Sequence, residues 1–144
     1  MEYRYLFKAK RIDNGQWVGG YIARYGHTGR EKYYIIPSYA SDLYSFLIDK
    51  NTICQCTGLK DKNGKEIYEG DIVNCEKRGP AFYHSKVIYN AINARYEVVA
   101  MGCPFPLRLE PSLDEDISIG GIDYEVIGNI YENPELLNQL NIGI

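Results

Sequence analysis

Apolar and polar residues alternate with a period of two along much of this chain. Tyr3, Tyr5 and Phe7 alternate with Arg4, Leu6 and Lys8, the pattern of a half-buried strand. Asn14-Gly15 follows, a dipeptide that accepts positive φ in a hairpin turn. Then comes Gln16-Trp17-Val18-Gly19-Gly20-Tyr21-Ile22-Ala23. Residues 3–12 and 16–25 therefore predict a β-hairpin, with a bulge or bend at Gly19-Gly20. Residues 26–32 are a polar loop, and Tyr33-Tyr34-Ile35-Ile36 predict a strand stopped by Pro37. Residues 42–48 (DLYSFLI) read as one or two helical turns opened by Ser41 or Asp42, or as a loop with buried aromatics. The helix is the preferred reading.

Further along, Thr52–Thr57 predict a strand, and Asn63-Gly64 marks the tip of the next turn. Glu69-Gly70-Asp71 is a turn that opens Ile72-Val73-Asn74-Cys75. Gly takes the unusual φ, Asp bonds the turn through its side chain, and branched residues enter the core. This step is common at strand starts in small SH3-like barrels. Lys86–Tyr89 and Tyr96–Ala100 predict a second hairpin, and Tyr124–Ile130 a last strand. Asn133-Pro134-Glu135 has the residues of a helix start, with Leu136, Leu137 and Leu140 on one face. The expected fold is mainly β: an N-terminal β-hairpin unit over 1–53, then a small SH3-like barrel with a short C-terminal helix over 54–144. The alternative is a single domain over 1–144, and a boundary near 57–66 also fits.

Composition narrows the function classes. The chain has 144 residues, of which 14 are Tyr and 14 Gly; 45% are hydrophobic and 24% charged. That is neither a disordered tail nor a membrane protein. No apolar run approaches the roughly 20 residues of a spanning helix. No apolar stretch follows a basic region at the start, so no signal peptide is expected and the expected location is cytoplasmic. The net charge is −3, unevenly spread. Residues 101–144 carry Arg108 against eight acids, whereas residues 1–100 carry 15 basic and 11 acidic residues. The densest basic grouping, Lys8-Ala9-Lys10-Arg11, reads as a solvated strand face. It is not the footprint of a duplex binder.

Candidate chemistry is sparse. Cys54 and Cys56 share one face of a strand, but Cys75 and Cys103 stand alone, so buried, inert thiols are expected rather than a zinc site. His27 and His84 lie in predicted loops, and no nucleophile elbow, metalloprotease or phosphate-loop motif occurs. Asp114-Glu115-Asp116 lacks the spacing of a calcium loop. No enzyme, metal or cofactor is expected. The remaining signal is aromatic: Tyr33, Tyr34, Tyr39 and Tyr44 crowd near Arg24, Arg30 and Lys32. Aromatics interleaved with cations stack single-stranded bases. The plainer reading, preferred here, is that these tyrosines fill and edge a β core. A protein interface is a third, since Tyr is enriched in interface cores and strand edges invite pairing.

The segments TGLKDKNGKEIYEGDIV (57–73) and EVIGNIYENPELL (125–137) are similar to the YopX family, proteins encoded by phages and bacterial prophages. Trp17-Val18 and the charged first hairpin resemble that family's opening. The resemblance implies a mainly β protein and carries over no catalytic residue. The expectation is a phage or prophage accessory protein that is not an enzyme and works by contact with a protein partner and by self-association. Single-stranded nucleic-acid binding by the Tyr-rich surface is the alternative.

Overall fold

The computed structural model describes residues 5–37, 44–75, 83–100, 106–109 and 124–138. Tyr39 of the candidate set, Cys103, the acidic triplet at 114–116 and Leu140 lie outside them. The chain divides into two compact units, Met1–Cys56 and Thr57–Ile144. Within the described residues the structure is mainly β, with no α-helix.

In the first unit, β1 (Phe7–Lys10), β2 (Trp17–Tyr25), β3 (Lys32–Pro37) and β4 (Phe46–Leu47) form an antiparallel sheet with the start of β5 (Cys54–Lys60). The order is β4-β3-β2-β1-β5. The first hairpin turn is longer than Asn14-Gly15 alone predicts. Arg11 N–H donates to Gln16 O at 2.9 Å, and only Gly15, at φ 70°, is left-handed. Asn14 instead accepts Gln16 N–H through its side chain. The sheet curls until Ile48 bridges Arg11, where Ile12 N–H donates to Leu47 O and Asp49 N–H to Lys10 O. One face holds the core of Ala9, Ile35 and Ile48, with Val18, Ile22, Tyr33, Phe46 and Ile53 against it.

Two expectations are corrected here. Phe46-Leu47 is a strand, because its backbone completes the ladder with Ile35 and Tyr34. Gly19-Gly20 is not a bulge: the register runs unbroken through both residues to β1, and through Gly20 to β3. Gly20 is there for space, since a Cβ on it would lie 2.0 Å from Ile36 O.

In the second unit β5 continues and takes β6 (Glu66–Tyr68) as its neighbour. A five-stranded antiparallel sheet then runs in the order β10 (Leu107–Arg108), β9 (Arg95–Ala100), β8 (Ser85–Asn90), β7 (Asp71–Asn74), β11 (Glu125–Asn129). Its core is Ile67, Val73, Cys75, Val87, Val98, Ala100, Leu109 and Tyr124. Glu69-Gly70-Asp71 does open a strand, with Gly70 at φ 88° and Asp71 accepting Tyr68 N–H at 2.8 Å. The expected SH3-like barrel is absent among the described residues, where this sheet stays open. Its end strands have little to close with. β10 is two residues long, and one backbone N–H of β11, that of Val126, is occupied elsewhere. Lys62 N–H donates to Tyr124 O, and Val126 N–H donates to Asp61 Oδ2. The expected C-terminal helix is a five-residue 3-10 segment, Pro134–Asn138. The Asn133 side chain, placed to cap an α-helix, turns back to accept Asn129 N–H.

Candidate binding face of the N-terminal sheet

Period-two geometry sorts the first unit's strand residues onto two faces. Opposed residues in the ladder are Lys8 with Gly19, Lys10 with Trp17, Ala23 with Tyr34, and Tyr25 with Lys32. Opposed residues share a face. The face turned away from the Ala9–Ile35–Ile48 core therefore carries Lys8, Lys10, Trp17, Gly19, Tyr21, Ala23, Tyr25, Lys32, Tyr34 and Ile36, with Leu47 beside Tyr34 and the buried Cys54 beside Lys8. Tyr21 is 44% exposed and Tyr25 61%, values far from those of a packed core.

The side chains on this face organise each other. Lys8 Nζ and Lys10 Nζ lie 5.2 and 5.6 Å from the Trp17 ring centroid, within the range of cation–π attraction. The rings of Tyr25 and Tyr34 meet edge to face at 5.6 Å, the arrangement that aromatic quadrupoles favour. None of these strand residues is acidic. Gly19 is exposed between Trp17 and Tyr21, and a Cβ on it would meet only Phe7 O, at 3.7 Å. The face thus has an aromatic residue on each side of a position with no side chain.

The sequence-derived candidates do not form one cluster. Lys32 and Tyr34 lie on this outer face. Tyr33 lies on the other face and packs against the core, and Arg24, opposite Tyr33, shares that side. Arg30 is exposed in the β2–β3 loop, and Tyr44, 65% exposed, precedes β4. Lys8, Lys10, Trp17, Tyr21 and Tyr25 were missed as site residues. Their signal was the period-two run W-x-G-x-Y-x-A-x-Y facing K-x-K, which is legible once the two strands are put in register.

Among the described residues, no three of His, Cys, Asp and Glu gather as metal ligands. Cys54, Cys56 and Cys75 are buried and form no disulfide. His84 Nδ1, Asn74 Oδ1 and Ser85 Oγ are buried without a hydrogen-bond partner. Ser85 pairs with Val73 and is fully buried. Glu97, also buried, is enclosed by Asn90 Nδ2 at 2.7 Å, Arg95 Nε at 2.7 Å and Asn93 Nδ2 at 3.4 Å. The hydrogen bond from Asn90, then that from Arg95, holds its carboxyl below the usual range. Every lone pair so used is unavailable for chemistry, so Glu97 reads as a hairpin staple. No helix among the described residues is long and apolar enough to cross a membrane.

Comparison with known proteins gives a family and a solved structure. The family model described as YopX protein matches residues 7–138. Among solved structures, the chain is similar to the crystal structure of protein EF1440 from Enterococcus faecalis, at 26% identity over 91% of this chain and 96% of that one, with a TM-score of 0.43. No curated protein matches the chain.

Proposed function

The chain belongs to the YopX protein family, and we propose that it is a phage- or prophage-encoded accessory protein that binds other molecules and catalyses nothing. It works in the cytoplasm of the bacterial host. Its working surface is the outer face of β1, β2 and β3. The observation that carries this reading is the exposure of Tyr21 and Tyr25 beside Trp17 and three lysines. Contiguous exposed aromatic surface is costly to keep in water and marks interaction sites. The polar groups elsewhere that resemble chemistry, Asp61, Asp71 and Glu97, are spent on backbone and side-chain hydrogen bonds of the fold.

The same reading includes self-association. The first unit carries eight Lys and Arg against five Asp and Glu, a net of +3, and the second carries eight against fourteen, a net of −6. Unlike charges on two units favour contact between the basic unit of one copy and the acidic unit of another.

Site-specific photo-crosslinking in host cells tests the location of the working surface. With Tyr25 replaced by benzoylphenylalanine, adducts are expected at several times the yield obtained with the same replacement of Ile92. Ile92 is 95% exposed on the β8–β9 hairpin tip and serves as the control for exposure alone. Equal yields at the two positions, or none at position 25, would remove the outer face from the proposal.

A further inference from the structure

We infer that the ligand of the outer face is a single-stranded polynucleotide, an inference that rests on the working surface just proposed. Charge, ring spacing and the bare glycine lead to the same ligand. The face presents Lys8, Lys10 and Lys32 and no strand carboxylate, so it offers cations to a polyanion along its length. A second protein surface is a poorer match, because lysine is depleted in protein interface cores. A second copy of this same face is poorer still, since a two-fold contact sets the lysine-bearing face against itself with no strand carboxylate to pair the lysines.

Ring spacing separates a single strand from a duplex. Trp17, Tyr21 and Tyr25 stand four residues apart on one face of β2, about 13 Å from one to the next, close to four of the roughly 3.4 Å steps between stacked bases. Because Gly19, between Trp17 and Tyr21, brings no side chain, bases lying between those two rings meet only backbone there. The Tyr25–Tyr34 pair extends the platform onto β3. Bases of a duplex are already stacked and offer no free face to such rings, whereas a single strand does. Lys8 and Lys10, drawn to Trp17, stand beside that platform, where phosphates would lie.

Fluorescence anisotropy with labelled oligothymidine and oligouridine of roughly twenty nucleotides, and a duplex of the same length, tests the assignment. The single strands are expected to bind and the duplex to bind more weakly. With three lysines on phosphates, log K should fall with log salt at a slope of about −2. Tyr25→Ala should weaken binding by about five- to a hundredfold, and Lys8→Glu should weaken it and lower the slope by about 0.7 or more. Ile92→Ala, on the β8–β9 hairpin tip of the other unit, should change nothing. Circular dichroism and melting of each variant confirm that it folds. Tighter binding of the uridine or of the thymidine strand supports the inference in either case and assigns the sugar.

No salt-dependent binding by wild-type protein overturns the inference, as does binding indifferent to Tyr25→Ala and Lys8→Glu. The crosslinking separates the two levels. Protein adducts at position 25 without oligonucleotide binding reject the polynucleotide and keep the surface. Absence of adducts at position 25, together with no binding, rejects both.

Discussion

Gly19 and Gly20 are neighbours in the chain with opposite reasons to be glycine. Gly20 faces the core side, and a Cβ there would lie 2.0 Å from Ile36 O and 2.9 Å from Pro37 Cα, both backbone atoms. Backbone cannot step aside without breaking the β2–β3 ladder. Gly19 faces outward and would gain only an ordinary contact. Gly20→Ala should therefore cost about 3 kcal/mol, as overpacking does. Gly19→Ala should stabilise by about 0.5 kcal/mol through the smaller entropy of its unfolded chain. Urea midpoints of the two variants check this, and equal shifts would contradict it. The sequence marked both glycines as unusual and read a bulge or a bend, and the unbroken register removes the bulge. Nothing in residues 19 and 20 tells which of them meets β3 at close range, because that depends on a partner strand twelve or more residues away.

Elements were legible where the pattern was local. The strands around Phe7, Tyr33, Cys54, Ile72, Val87, Val98 and Val126 follow from period two and turn residues. Phe46-Leu47 did not, since a two-residue strand is defined by its partner and its own apolar residues fit a helix equally well. The two segments behind the family likeness prove to be one structural joint. β7, from the first segment, pairs with β11, from the second. Asp61 in the first segment accepts Asn63 and Lys65 N–H through Oδ1 and Val126 N–H, from the second, through Oδ2. Those motif residues thus build the joint.

At the same scale, the β8–β9 hairpin gives a pH prediction. Glu97 has its folded carboxyl held below the ordinary value of 4.5 by Asn90 and Arg95. Its contribution is fully present above the unfolded value and is lost as pH falls through the folded one. Glu69 has the opposite sign, because burial pushes its carboxyl up. Its ionisation weakens the fold as pH rises through the unfolded value and on through the folded one, and is harmless in acid. At pH 7, Glu97→Gln should lower Tm and Glu69→Gln should raise it. Both differences from wild type should shrink in acid below both carboxyl values. Shifts of the same sign at neutral pH would contradict the assignment.

At the scale of the whole molecule, the chain's modest net charge of −3 conceals two units of +3 and −6. The sequence exposed an asymmetry between residues 1–100 and 101–144, but the barrel it led one to expect gave way to an open sheet. Closure depends on which edges are left to pair. Here the loop around Asp61 takes up the Val126 N–H of β11, a long-range contact that no local pattern encodes, and one that leaves less of that edge to pair with other chains. Self-association, on this account, should run through charge rather than through strand addition. Such contacts are screened over about 8 Å at physiological ionic strength, so the apparent molar mass by light scattering should exceed 16.5 kDa in low salt and fall to it as salt is raised. Added oligothymidine should lower it as well, because the polyanion and the acidic unit compete for the same basic unit. A mass of 16.5 kDa at every salt concentration would remove self-association from the proposal. A larger mass indifferent to salt would place the contact on apolar or strand-edge surface and leave the charge asymmetry to the polynucleotide alone.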